Sequence, residues 1–220
     1  MTPHPKMNLL QALLVRACVA TFWKYPYRQK LIRWGTRLHD QFMLPHYLWA
    51  DFCDVLHFLN QTSGYHFEAN WFEPFFDFRF PEYGSLQIGP ATLELRMALE
   101  PWSVLGEDIN KPGVSRPVDS SVERLQIKMS GIIEEQHIVT CNGQAIPLKR
   151  TDQEGVYVAG VRFKAWAQPT SLHPTIPAQT PLVFDVIDTR YERSIGGCTY
   201  HVMHPGGRSY KTLPVNENEA

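Results

Sequence analysis

At 220 residues, 44% of them hydrophobic, the chain can hold one large packed domain or two small ones. Its 21 basic and 22 acidic residues nearly cancel, so no strong overall field draws in nucleic acid or an anionic membrane. The 12% aromatic content comes without a basic stripe, which assigns the rings to a core and argues against a base-stacking surface. Cys18, Cys53, Cys141 and Cys198 are widely spread and form no CxxC pair, so they read as reduced, buried thiols of a cytoplasmic protein.

The first quarter is helical. Asn8 to Trp23 is apolar, but Arg16 interrupts it and no small-residue cleavage site follows, so a buried helix is expected in place of a signal peptide. Leu9, Leu10, Leu13, Leu14 and Ala17 mark its buried face. No uncharged apolar run reaches the length of a membrane span. Leu31, Trp34, Leu38 and Phe42 continue the helical period. Pro45 suits the first turn of the next helix, and Gly64 suits the left-handed residue that ends it.

From Phe75 the period changes to two. Phe76, Phe78 and Phe80 alternate with Asp77 and Arg79, which predicts a half-buried strand. Pro81 to Gly84 reads as a turn, and Ser85 to Ile88 and Thr92 to Leu99 as strands joined at Gly89-Pro90. Residues 103–120 are rich in Gly, Pro, Ser and Asp and read as a linker. Beyond them, strands are expected at Arg124–Met129, His137–Cys141, Ala145–Lys149, Val156–Trp166, Leu182–Asp188 and Gly197–His204. Asn142-Gly143 signals a tight hairpin and Asp152–Gly155 a second turn. Pro169 to Pro181 reads as an arch across the sheet end. The expected fold class is α+β. Residues 1–102 form a helical group with a small antiparallel sheet, 103–120 a linker, and 121–220 an all-β sandwich or barrel-like half.

Several residues could carry chemistry. Glu94 and Arg96 stand two apart on a strand, so the carboxylate and the guanidinium project from one face. By spacing alone this is a same-face salt bridge. The run Arg33-Trp-Gly-Thr-Arg-Leu-His-Asp-Gln-Phe-Met-Leu-Pro-His46 could gather His39, Asp40 and His46 at a helix junction, with Arg33 toward a phosphate. Its plainer reading is helix capping. Cys198, His201 and His204 diverge along a strand and have no helix start to lower a thiol pKa, which argues against a nucleophile or metal site. Trp166, with Arg162 and His173 nearby, walls a groove or plugs a sheet end. Asp185 and Asp188 are three apart on a strand and diverge, so they do not make an acid–base pair.

The run at 33–46, Thr92-Leu-Glu-Leu-Arg-Met-Ala-Leu-Glu-Pro-Trp102, Val118–Gln126, Tyr157–Trp166 with Leu172–Ile176, and Arg193–Arg208 together resemble one bacterial family. It is the domain of unknown function described as a putative amidoligase and attached to transglutaminase-like proteins. The resemblance runs from Leu9 to Asn216 and covers the C-terminal end of much longer chains. It implies a carboxylate–amine ligase that uses ATP and Mg²⁺ to activate a carboxylate as an acyl phosphate. Glu94 would then be a metal or substrate-positioning carboxylate, Arg96 a phosphate clamp, Arg33 a second nucleotide contact and His39 a catalytic group. The implied partners are the missing N-terminal part or a separately encoded subunit, and a peptide or amino-acid substrate. The thiol centre of the longer proteins maps onto no residue here. A non-catalytic β-rich binding or assembly module is the alternative.

Overall fold

The computed structural model describes residues 4–28, 30, 33, 35, 37, 41–100, 122–133, 135–165 and 177–202. Helix α1 spans Pro5–Lys24, α2 Pro45–Ser63 and α3 Glu73–Arg79, with a short 3₁₀ turn at Ala69–Trp71. Nine strands follow: β1 Glu82–Ile88, β2 Ala91–Ala98, β3 Val122–Ser130, β4 His137–Cys141, β5 Gln144–Ala145, β6 Lys149–Arg150, β7 Val156–Lys164, β8 Leu182–Asp188 and β9 Arg193–Tyr200. They form two antiparallel sheets, ordered β1-β2-β3-β7-β6 and β5-β4-β8-β9. The fold is therefore α+β with an open two-sheet sandwich, and the sheets do not close into a barrel.

The sandwich core follows from strand alternation. Leu93 and Leu95 of β2, Leu125, Ile127 and Met129 of β3, and Tyr157 and Ala159 of β7 face Val139 and Cys141 of β4 and Leu182, Phe184 and Val186 of β8. Sheet edges β1 and β9 approach each other, and Tyr83 stacks on Tyr200 with ring centroids 5.0 Å apart. The Asn142-Gly143 hairpin forms as expected, both residues having positive φ. The hairpin of β1 and β2 is not a separate small sheet, because β2 pairs with β3 from Thr92↔Ser130 to Ala98↔Arg124.

Four expectations change, the first being the turn read at Pro81–Gly84, where Glu82 already opens β1 and pairs with Arg96. Phe75–Phe80 lies within and at the end of a helix, not on a strand. Pro74 starts it, Glu73 and Arg79 suit its two ends, and Phe76 packs on Phe80 one turn on. The strand expected at Ala145–Lys149 splits between the two sheets. Pro147 cannot donate to a ladder, and Ile146 turns into the core. Helix α1 forms, but only Ala17 and Thr21 are buried, whereas Leu9 and Leu13 are exposed. Most of the expected helix around Leu31–Phe42, the linker at 103–120 and most of the Pro169–Pro181 arch lie outside the described residues.

Helix α2 sits on the outer face of the first sheet. Pro45 opens it, and Leu44 offers no side-chain cap. The free N–H of His46 is instead bound by Gln126 Oε1 of β3 at 2.8 Å. Arg124 donates from Nη1 to the carbonyl of Phe42 at 2.7 Å. Gly64 ends the helix in the left-handed conformation, as its sequence position suggests.

Candidate functional site

The outer face of the first sheet carries a polar array. Strand alternation that sends Leu93 and Leu95 into the core sends Glu94 and Arg96 outward. Antiparallel register then places Lys128 opposite Glu94 and Gln126 opposite Arg96. The next strand brings Gly160 opposite Gln126 and Arg162 opposite Arg124.

Arg96 is the hub. Its Nη1 donates to Asp77 Oδ1 and to the Phe80 carbonyl, each at 2.9 Å. Its Nε faces Glu94 Oε1 at 3.3 Å, and its Nη2 lies 3.5 Å from Glu82 Oε2. The guanidinium also lies over the Phe76 ring, 5.4 Å from the centroid. Burial opposes its charge, but Asp77 and Glu94 outweigh that and hold the guanidinium pKa above its ordinary value. Arg96 thus ties α3 to the β1–β2 hairpin.

Glu94 is engaged on both oxygens, by Arg96 on one and by Lys128 Nζ at 3.6 Å on the other. A magnesium ion needs free hard oxygen donors. A dication on either oxygen of Glu94 would sit beside a side-chain cation. Among the described residues no group of three or more His, Cys, Asp or Glu is placed to hold a metal. The residues present therefore do not fit Mg²⁺ by themselves.

Of the two cations on Glu94, Lys128 is the more open, with about a third of its side chain exposed, against 14% for Arg96. His46 stands near it at the start of α2. Partial burial lowers the His46 pKa and the Lys128 charge lowers it further, against a smaller opposing pull from Asp152. Arg162 pairs with the buried carboxylate of Glu100 at 3.1 Å. Gly160 matters here because a Cβ would meet the Arg124 guanidinium, whose nearest atom lies 2.5 Å away. Beside the array an open cavity of about 750 Å³ lies between α1, α2 and α3. Trp49, Phe52, Phe72, Phe76 and Phe80 line much of it, with Asn8, Gln11 and Arg79 among the polar contacts.

The structure brings Glu94 and Arg96 together. Arg33 is exposed, and it makes no ion pair with a described residue. His39, Asp40, Trp166, His173 and His204 lie outside the described residues. Cys198 is half-buried, and burial raises its thiol pKa, so nothing here activates it. Asp185 and Asp188 lie on opposite faces of β8, one bound by Ser194 and the other by the Arg190 N–H. Sequence reasoning missed Lys128, Gln126 and Arg124. Their signal was the alternation Arg-Leu-Gln-Ile-Lys-Met at 124–129, which sets three polar groups on one face.

Among the described residues no helix is long and apolar enough to cross a membrane. A family model described as "Putative amidoligase enzyme" matches residues 1–220. No curated protein matches the chain, and no solved structure does.

Proposed function

This chain belongs to the putative amidoligase enzyme family, and we propose that it supplies one wall of an ATP-dependent carboxylate–amine ligase site. In this reading the site is completed by further polypeptide, either an N-terminal segment or a separate subunit, in proteins that also carry a transglutaminase-like part. The observation that carries the reading is the Arg96–Glu94–Lys128 array on the outer face of the first sheet. A ligase must neutralise the charge that builds up on an acyl phosphate, and fixed cations do so without reorganising. Of the two cations on Glu94, Lys128 is the group presented to phosphate, because its side chain is more exposed than that of Arg96. Glu94 holds Lys128 and Arg96 in place and is a positioning carboxylate. Arg96 contributes positive potential from behind. Arg33 and His39 are proposed as contacts from the neighbouring 33–46 run. ATP and Mg²⁺ would be held chiefly by the completing polypeptide, with no metal bond from Glu94 alone. A peptide or amino-acid substrate could set an apolar side chain into the neighbouring aromatic cavity.

The test is thermal unfolding of the chain with ATP, with and without Mg²⁺, alone and joined to the completing polypeptide. The ligase reading expects nucleotide to raise the melting temperature and Lys128→Gln and Glu94→Gln to reduce that gain. A nucleotide effect that both variants leave unchanged would remove this array from the site.

A non-catalytic assembly role is the second reading. One observation favours it: every nitrogen of the Arg96 guanidinium already faces an acceptor within the chain. It expects no nucleotide effect under any of these conditions, and a loss of folding stability in Arg96→Gln.

A further inference from the structure

Helix α1 is apolar nearly all round. Leu9 is 62% exposed, Val15 55%, Val19 63% and Trp23 88%. A helix of this composition belongs inside a larger helical packing. Helix α2 adds Val55 and Phe58 to the same exposed region, since Phe58 stacks on Phe22 with centroids 5.9 Å apart. The two outer faces are thus one continuous surface. With helices of 20 and 19 residues it is about 30 Å long and two helices wide. That is comparable to the roughly 800 Å² each partner contributes to a standard interface.

The charges on this surface are separated by helix. Lys6, Arg16 and Lys24 are the charged residues of α1, which has no Asp or Glu. Asp51 and Asp54 are the charged residues of α2 apart from its histidines. None of Lys6, Arg16, Asp51 and Asp54 has an ion-pair partner among the described residues. Partial burial, and then the like charge of Asp54, hold the Asp51 pKa above its ordinary value.

We propose that this α1–α2 face is a self-association surface, on which two copies of the chain pair about a two-fold axis into a four-helix bundle. Helix α1 of each copy lies against α2 of the other. Two-fold symmetry turns the basic helix of one copy toward the acidic helix of its partner, so one surface is complementary to itself. Pairing α1 with α1 would instead oppose like charges. Arg16 is near the middle of α1, and Asp51 and Asp54 are near the middle of α2. Centre-to-centre packing therefore matches them. This inference does not depend on the ligase reading.

Sedimentation of the full chain across a concentration series tests it, with Arg16→Glu, the double variant Asp51→Lys/Asp54→Lys, and the triple combination. All three positions are exposed, and circular dichroism checks that each variant keeps its fold. The proposal expects a dimer with each reversal raising the dissociation constant about tenfold or more, and the triple variant recovering most of the loss. Val19→Glu should weaken the dimer as well. A chain that stays monomeric up to about 100 μM would overturn it. So would a dimer indifferent to all four variants, or a monomer that floats with vesicles of anionic phosphatidylglycerol. The last result would make the face a lipid-contact surface.

Discussion

The sandwich and the helical group solve the same burial problem to very different degrees. In the sandwich, two sheets cover each other, and Ile127, Met129, Val139, Phe184 and Val186 are almost entirely removed from water. In the helical group, α1 buries only Ala17 and Thr21, and a row of large apolar side chains faces solvent. Several of the contacts that fix the helices to the sheet are polar. Gln126 holds the start of α2, Arg124 holds Phe42, and Arg96 holds α3. The sandwich thus rests chiefly on area removed from water, whereas the helical group adds a few oriented hydrogen bonds to a smaller buried set around Leu44, Leu56, Leu59 and Phe72.

The largest expected effect breaks the first region. Phe184→Ala should cost about 3–5 kcal/mol, because it leaves a void between two packed sheets. Phe78→Ala, at an exposed helical position, should stay within about 0.5 kcal/mol. Urea denaturation of both variants checks the contrast, and equal losses would refute it. Next comes Gly197→Ala. A Cβ there would collide with the Phe184 carbonyl, so β9 must move off β8. The expected cost is about 1–3 kcal/mol, with amide exchange accelerated along β8 and β9 first.

A smaller change should act on the attachment alone. Gln126→Ala removes the acceptor for the His46 N–H at a cost of about 1 kcal/mol. Amide exchange at the first turn of α2 should speed up while β8 stays protected. Uniform acceleration would mean that the two regions do not separate. The smallest effect is a pH slope. The folded-state pKa of His46 is lowered by burial and then by Lys128. The unfolded chain therefore binds the proton first as pH falls. The contribution is present above the ordinary histidine value of about 6.5 and is lost as pH drops below it. His46→Gln should flatten that part of the stability–pH curve.

Legibility in the sequence follows the same divide. Leu182–Asp188 alternates cleanly and was readable to the residue, as was His137–Cys141, whose end is marked by the Asn142-Gly143 turn. Asn142-Gly143 and Gly64 were readable because only a few residues tolerate their backbone angles. Phe76, Phe78 and Phe80 misled because a seven-residue helix is too short to display its period, and alternation over the same stretch looks like a strand. Burial of α1 was inferred from the spacing of Leu9, Leu10, Leu13, Leu14 and Ala17, but spacing gives what a helix wants covered and not what covers it. The Glu94–Arg96 pair was visible from spacing. Its neighbours Asp77, Glu82 and Lys128 were not, because they come from a helix end and two other strands whose register no local pattern encodes.

The cap on α2 has one more implication, for the order of events at the ribosome. His46 and its acceptor Gln126 are 80 residues apart in the chain. At common elongation rates, Gln126 is made roughly 4–16 s after His46. Through that interval the His46 N–H has only water as a partner, and the sheet on which α2 sits is incomplete. The nascent chain is thus most vulnerable to chaperone capture and proteolysis before β3 emerges. A translational pause within the 64–122 stretch should lower yield more than one placed far enough beyond Ser130 for β3 to have left the exit tunnel.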